Sequence, residues 1–262
     1  MREQILPHDF HRFDRSSWVI KETAFGYRLW VSLDDLAIAR PVLVDAYELA
    51  EARFIEHTVR EGDLAVDVGA NLGFHALHMA KLVGPAGRVL AFEPLGYLGD
   101  ALSASVAENG FSERVEVRRE ALSDCAEEAV LRHAPRTANF GGAHLARSAT
   151  PEIFQTDERV PCVPLDDVLG ERRCAFIKMD VEGAESRVVN GARRTLERDR
   201  PAILSELHET QLRAVSGCGA NDLIAQLREL GYRCLHLRAD GTPGDEIATF
   251  SSTVPTNVIF LP

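Results

Sequence analysis

Short apolar runs alternate along this chain with longer segments whose apolar positions recur every three or four residues. The runs "LAVDV" (64–68), "RVLAF" (88–92), "VEVRR" (115–119), "AFIKM" (175–179) and "AILSEL" (202–207) predict strands. Helical spacing predicts helices over 73–83, 97–109, 184–198 and 219–230. This alternation implies βαβ units, and so an α/β fold with a doubly wound, mostly parallel sheet and helices on both faces. The chain closes with "YRCLHLR" (232–238), the turn "ADGTPGD" and "NVIFLP" (257–262). With no helix between them, those two strands should pair antiparallel. Upstream, residues 18–33 are rich in β-formers around Gly26 and predict a hairpin, and residues 47–60 have helical periodicity. A small N-terminal extension over 1–60, packed on a core domain of 61–262, is the expected organisation. Residues 125–165 break the rhythm: "AVLRHA" predicts a strand and "PRTANFGGAHLARSATPE" a long functional loop.

The first strand of the core runs into Asp67-Val-Gly69-Ala-Asn71-Leu-Gly73 and then into a helix. Glycines there let the backbone bend sharply and approach a ligand closely. Free N–H groups at the helix start favour a polar or anionic ligand. The spacing is neither the G-x-G-x-x-G of a dinucleotide loop nor a Walker loop. Glu93 ends the next strand, twenty residues beyond Gly73. An acid at that place can accept both hydrogen bonds of a ribose diol, or serve as a helix N-terminal acid where Pro94 opens a helix. Glu120 and Ala121 end the third strand and fall in the same crevice, with Glu120 placed to meet an adenine amino group or, about equally, to be a solvated loop acid.

The stretches "DVGANLGFHALHMA" (67–80), "VLAFEP" (89–94), "ALSD" (121–124), "VPLDDVL" (163–169), "FIKMDVEGAESRVVNGA" (176–192) and "AILSELHE" (202–209) together resemble a class I S-adenosylmethionine-dependent methyltransferase, more narrowly the FkbM family. The block 176–192 is the most specific of them, and "YELAE" (47–51) followed by "REGD" also fits. The resemblance implies a seven-stranded Rossmann-like sheet with an antiparallel last strand. It implies S-adenosylmethionine as methyl donor, to a hydroxyl of a sugar, glycoside or polyketide-type natural product. One departure is Phe74-His75-Ala76, where the family often has two aromatics and Thr or Ser.

Methyl transfer to an alcohol needs collinear positioning and a base for the hydroxyl proton; a divalent metal is an alternative way to lower the hydroxyl pKa. Two strand ends offer the groups. "KMDVEGAE" carries Asp180, Glu182 and Glu185, and Asp180 should face the methionine end of the cofactor or the acceptor. Glu185 is better explained as an acid in the first turn of a helix, and Lys178 as the partner of a neighbouring acid. "SELHE" carries Glu206 and His208, two apart on one face of an extended strand end. They suit a base with its orienting partner, or two ligands of a divalent metal. His208 is the expected general base, with Glu206, Asp180 and Glu182 beside it. His75 lies close enough to the turn to reach the cofactor, although a packed or exposed helix position is the favoured reading for it and for His78; His8, His11 and His57 have no evident partners. Asp166 and Asp167 are expected as helix caps, Tyr47 and Glu48 as a cover for the methionine end or a helix start. Asn139, Gly141 and Gly142 in the long loop are assigned to acceptor binding or a lid.

Composition narrows the alternatives. A formal net charge of −11 argues against a large nucleic-acid footprint and leaves a small-molecule acceptor as the expected partner. Five scattered cysteines without a C-x-x-C pair suit reduced thiols. The N-terminus has no apolar signal region and no run is long enough to span a bilayer, so a cytoplasmic protein is expected. A nicotinamide-dependent oxidoreductase is opposed by the G-x-N-x-G spacing and the terminal strand pair. A non-catalytic module that merely binds S-adenosylmethionine is opposed by the intact carboxylates and His208.

Overall fold

The computed structural model describes residues 17–133, 144–145 and 156–262. In chain order its elements are β1 (Trp18–Glu22), β2 (Arg28–Ser32), α1 (Leu36–Leu43), α2 (Leu49–Thr58), β3 (Leu64–Val68), α3 (Phe74–Leu82), β4 (Arg88–Phe92), α4 (Gly96–Glu108), β5 (Val115–Arg118), β6 (Ala121–Leu122), β7 (Glu127–His133), β8 (His144–Leu145) and β9 (Thr156–Val163). Then come α5 (Leu165–Leu169), β10 (Phe176–Met179), α6 (Glu185–Gly191), α7 (Arg193–Asp199), β11 (Ala202–Leu207), α8 (Glu209–Val215), α9 (Ala220–Glu229), β12 (Arg233–Leu237), β13 (Pro243–Glu246) and β14 (Thr256–Leu261).

The main sheet has the order β13-β12-β14-β11-β10-β3-β4-β5. Strands β5, β4, β3, β10 and β11 are parallel neighbours, and β14 runs antiparallel to both β11 and β12. The expected parallel sheet with an antiparallel last strand is therefore present, but with eight strands rather than seven. The eighth, β13, lies inside the stretch expected to be only a turn. Gly241 N–H donates to Arg238 O at 2.8 Å and folds Pro243–Glu246 back onto β12 in an irregular register. Proline and exposed polar residues are tolerated on an edge strand, which buries no apolar face and so leaves no alternation to detect.

Successive residues of each strand serve opposite faces. Val66, Val68, Ile177 and Ile203 pack with Leu165, Val188, Leu196 and Leu223 on the side of α5, α6, α7 and α9. Ala65, Phe176 and Leu204 pack with Phe54, Leu77 and Leu102 of α2, α3 and α4, and with Leu29 of the N-terminal hairpin. That hairpin, β1 with β2 around Gly26, is tied to the core by Tyr27 Oη donating to Phe74 O (2.9 Å) and Trp30 N–H donating to Ser105 Oγ (3.0 Å). Helix α1 is not visible in the apolar pattern because Pro41 interrupts it; Asp35 starts it by accepting from Ala37 and Ile38 N–H.

Helix α3 is enclosed on all sides, so Phe74 through Ala80 are all buried, including His75 and His78. His78 sits against the Phe25 ring (centroids 4.5 Å apart), with Nε2 3.6 Å from Glu56 Oε1, beyond hydrogen-bond distance. Burial, helped by the charge of His75, pushes its pKa down to about 4. Because the unfolded ring titrates near 6.5, acid favours the unfolded chain: stability from this ring is full above that value and is lost as pH falls toward 4. His78→Leu should therefore gain about 3 kcal/mol relative to the wild type between pH 7 and pH 4. Parallel urea titrations would show it; a constant difference between the two proteins would refute the assignment.

Among the described residues of 125–165 most are strand: the predicted strand "AVLRHA" falls on β7, while the predicted long loop 135–152 lies almost wholly outside the described residues. β6, β9, β7 and β8 form a four-stranded sheet, with β7 and β9 antiparallel from Glu127↔Cys162 to His133↔Thr156. Arg132 makes a bidentate pair with Asp157 (2.8 and 3.0 Å) and Arg159 pairs with Glu128 (2.7 Å). These charges mask the strand pattern of "TDERVPCV". The predicted helix 184–198 is broken at Ala192 into α6 and α7. A Cβ on Gly191 would lie 1.9 Å from Ser123 O, so α6 ends in close contact with another backbone. Asp166 then caps α7 rather than its own helix, accepting from Arg194 N–H, Thr195 N–H and Thr195 Oγ1, each at 2.8 Å. Among the described residues no helix is long and apolar enough to cross a membrane.

Candidate active site

The strand order reverses between β3 and β10, and in such sheets the crevice outside the carboxyl ends of the strands is where ligands bind. A cleft opens there, lined by Gly69 to Leu72, Glu93 to Leu95, Glu120 to Leu122, Lys178 and Asp180 to Glu182. Tyr47, Phe74 and His75 close its other side.

The glycine turn forms the floor. Gly69 and Ala70 N–H donate to Phe92 O (3.0 and 2.9 Å), which binds the turn to β4. Gly69 has φ 79°, and a Cβ there would lie 1.9 Å from Asp180 O. Gly73 has φ 92° and abuts the Leu102 side chain. Asn71, also left-handed at φ 53°, accepts from Leu72 N–H with its own side chain and donates its backbone N–H to Glu93. Asparagine is among the few non-glycine residues that tolerate this conformation.

Glu93 is 5% exposed, at the tip of β4. Its Oε2 accepts from Asn71 N–H (2.8 Å) and its Oε1 from Leu95 N–H (2.9 Å). Burial raises its pKa to about 7, although both hydrogen bonds and Arg119 oppose the shift. Each oxygen keeps a second lone pair. Glu120 also lines the cleft, held by Arg118 at 2.6 Å, and Ala121 is buried beside it. A turn without side-chain bulk, an acid at the second strand tip and a small residue at the third fit an adenosyl ligand.

Asp67 stands apart. It is 1% exposed on β3, does not line the cleft, and has no hydrogen-bond partner for either carboxylate oxygen. Burial raises its pKa, while the charge of Lys178, its register partner on β10, lowers it. Lys178 is itself buried and pairs with Asp180 (3.3 Å). Burial would discharge this ammonium, but the charges of Asp180, Asp67 and Glu48 outweigh it and hold its pKa above the usual lysine range. Asp67 is thus a counter-charge behind the turn rather than a cleft residue.

Of the four residues expected to act on the acceptor, Asp180 and Glu182 reach the cleft. Glu182 is left-handed (φ 52°) and accepts a hydrogen bond from Gln211 Nε2. Burial, then the charges of Asp180 and Glu206, push its pKa up to about 8. Glu206 is half-buried behind it, raised to about 7 by burial and Asp180. His208 is not part of the lining. Its Nδ1 accepts from Gln211 N–H (3.3 Å) as the N-cap of α8, satisfying one of the donors that a helix start leaves open. Glu185 serves its own helix start, accepting from Val181 and Gly183 N–H (3.1 and 3.3 Å). Asn139, Gly141 and Gly142 lie outside the described residues.

The sequence pattern gave no strong sign of one arrangement. His75, on the helix after the turn, lies 2.5 Å through Nε2 from Glu48 Oε2 and lines the cleft. The two residues are 27 positions apart, so only the fold brings them together. Among the described residues, the one cluster with metal-ligating spacing is Asp124, Cys125 and Glu127, exposed and away from the cleft, where Arg187 already pairs with both acids.

A family model described as the methyltransferase FkbM domain matches residues 67–234. The chain is 31% identical over 209 residues to the 31-O-demethyl-FK506 methyltransferase FkbM of Streptomyces tacrolimicus, covering 68% of this chain and 76% of that protein. It is 30% identical over 155 residues to the methyltransferase sdnD of Sordaria araneosa, covering 48% of this chain and 59% of that one. A solved structure of methyltransferase FkbM from Methylobacillus flagellatus KT aligns with a TM-score of 0.47 at 16% identity, over 86% of this chain and 53% of that one. The glycine turn, Glu93, the Asp180 strand end and the stretch through α9 all fall within the matched residues, and the chain belongs to the FkbM family of S-adenosylmethionine-dependent methyltransferases.

Proposed function

We propose that the chain is an O-methyltransferase acting on a hydroxyl of a sugar, glycoside or polyketide-type natural product. The supporting observation is one cleft in which the 69–73 turn faces the acidic end of β10, Asp180 and Glu182. S-adenosylmethionine supplies an electrophilic methyl group on a sulfonium. The chain's own part is to hold that group and an alcohol in line and to exclude water. Glu93 takes the ribose hydroxyls with its remaining lone pairs, the turn takes the methionine end, and Glu120 with Ala121 takes the adenine. Asp180 and Glu182 orient the acceptor hydroxyl. The Streptomyces relative, named for a 31-O-demethyl substrate, supports oxygen as the acceptor atom.

The test is transfer of tritiated methyl into an equimolar mixture of methyl glucoside, methyl rhamnoside and 31-O-demethyl-FK506, with S-adenosylhomocysteine titrated calorimetrically in parallel. Binding without label in any alcohol would overturn the O-methyl reading. Within the same titration, Glu93→Ala should weaken S-adenosylhomocysteine by roughly 1–3 kcal/mol, through loss of hydrogen bonds to a buried carboxylate. An unchanged affinity would remove Glu93 from the site.

A further inference from the structure

His75 combines three properties that none of the expected catalytic groups combines. The residue lines the cleft although it is only 3% exposed. Its Nε2 is engaged by Glu48 at 2.5 Å. Its Nδ1 has no hydrogen-bond partner. Glu48 is fixed at the start of α2 in left-handed backbone (φ 41°), a conformation that a non-glycine residue adopts at some cost and that clusters at functional sites. Burial would raise the Glu48 carboxyl, but the hydrogen bond and charge of His75 and the charge of Lys178 bring it down to about 2. Glu48 accepts from Nε2–H, so that whenever the ring carries a single proton its lone pair lies on Nδ1.

We propose that His75 is the general base of methyl transfer and that Glu48 is the residue that positions it. This rests on the O-methyl reading above. The acceptor's O–H proton goes to Nδ1 as the oxygen lone pair forms the new C–O bond. The methyl–sulfur bond breaks with its electron pair left on sulfur, giving S-adenosylhomocysteine, and the imidazolium returns its proton to solvent. Glu48 stays ionised and stabilises that imidazolium through Nε2–H, the role a carboxylate plays behind a catalytic imidazole.

The surroundings suit a transient positive charge. Glu48 and Glu51 approach the ring from α2 and Asp67 from β3, against Lys178 from β10 and His78 from α3. The competing groups are less available: Gln211 occupies Glu182 through its side chain and His208 through its backbone N–H.

The first measurement needs no turnover. Protein carrying ¹⁵N-histidine, alone and with S-adenosylhomocysteine, should show that the neutral form of His75 is the tautomer protonated at Nε2 and bare at Nδ1. Glu48→Gln should reduce that tautomer preference. A neutral ring with its proton on Nδ1 would overturn the assignment. In the tritium assay with the alcohol mixture, His75→Gln should lower kcat at least 100-fold with S-adenosylhomocysteine affinity within twofold, and Glu48→Gln should lower kcat at least tenfold. Matching kcat in His75→Gln and wild type would overturn the base alone; a wild type that labels no alcohol would overturn the O-methyl reading and this assignment with it. The tautomer measurement uses the wild type, so it decides even where a variant folds poorly.

Discussion

Lys178→Met should destabilise the fold by about 3–5 kcal/mol at pH 7.5, the range for removing one partner of a buried ionic cluster. The methionine fills similar volume, so the loss is electrostatic rather than a cavity effect. In the wild type one ammonium serves Asp180 at 3.3 Å and, at longer range, Asp67 and Glu48. Asp67 depends on it most, because its two buried oxygens have no hydrogen bond. Without Lys178 those carboxyls bind protons more tightly in the folded chain than in the unfolded one. Their penalty is therefore absent below the ordinary carboxylate range and grows as pH rises through it. The defect should shrink toward pH 4.5, and Asp67→Asn added to Lys178→Met should recover part of it at pH 7.5. Urea titrations of the single and double variants at both pH values test this; equal losses at both would show that Lys178 acts by packing alone.

The same cluster shows what the sequence could and could not reveal. The strands 64–68, 88–92 and 202–207 have the boundaries that the apolar runs predicted, because buried parallel strands are nearly continuous in hydrophobic residues. The D-x-G-x-N-x-G turn was legible for a related reason: its chemistry is local, fixed by positive φ and close approach. What was not legible depends on long-range approach. Whether Asp67 meets a ligand or Lys178 is decided by the register of β3 with β10. Whether His208 or His75 faces the cleft depends on which ring nitrogen finds a partner, Gln211 N–H for the one and Glu48 for the other. The missed strand β9, which pairs with the predicted β7, has the same origin, since cross-strand pairs such as Arg132 with Asp157 replace apolar alternation by charges that balance only once paired.

Gly69→Ala should abolish measurable cofactor binding while leaving most of the secondary structure intact. The position fails an alanine on two counts. Its φ of 79° is strained for any residue with a Cβ, and that Cβ would lie 1.9 Å from Asp180 O, a backbone atom that cannot rotate away. Relief requires the tip of β3 to part from that of β10. Gly69 N–H is also bound to Phe92 O, so movement would disturb β4 as well. Three strand tips would then lose their relative placement, and with them the alignment of Glu93, the turn and Asp180 that a single extended ligand needs. Methyl transfer tolerates little misplacement, since much of its rate comes from alignment. The cost to stability is about 1–3 kcal/mol, the usual range for a strained backbone position. Calorimetry with S-adenosylhomocysteine and circular dichroism on the same sample separate the two effects. An alanine variant that binds within threefold of wild type would mean that the turn and the end of β10 move independently, and that the close contact between them is not what shapes the site.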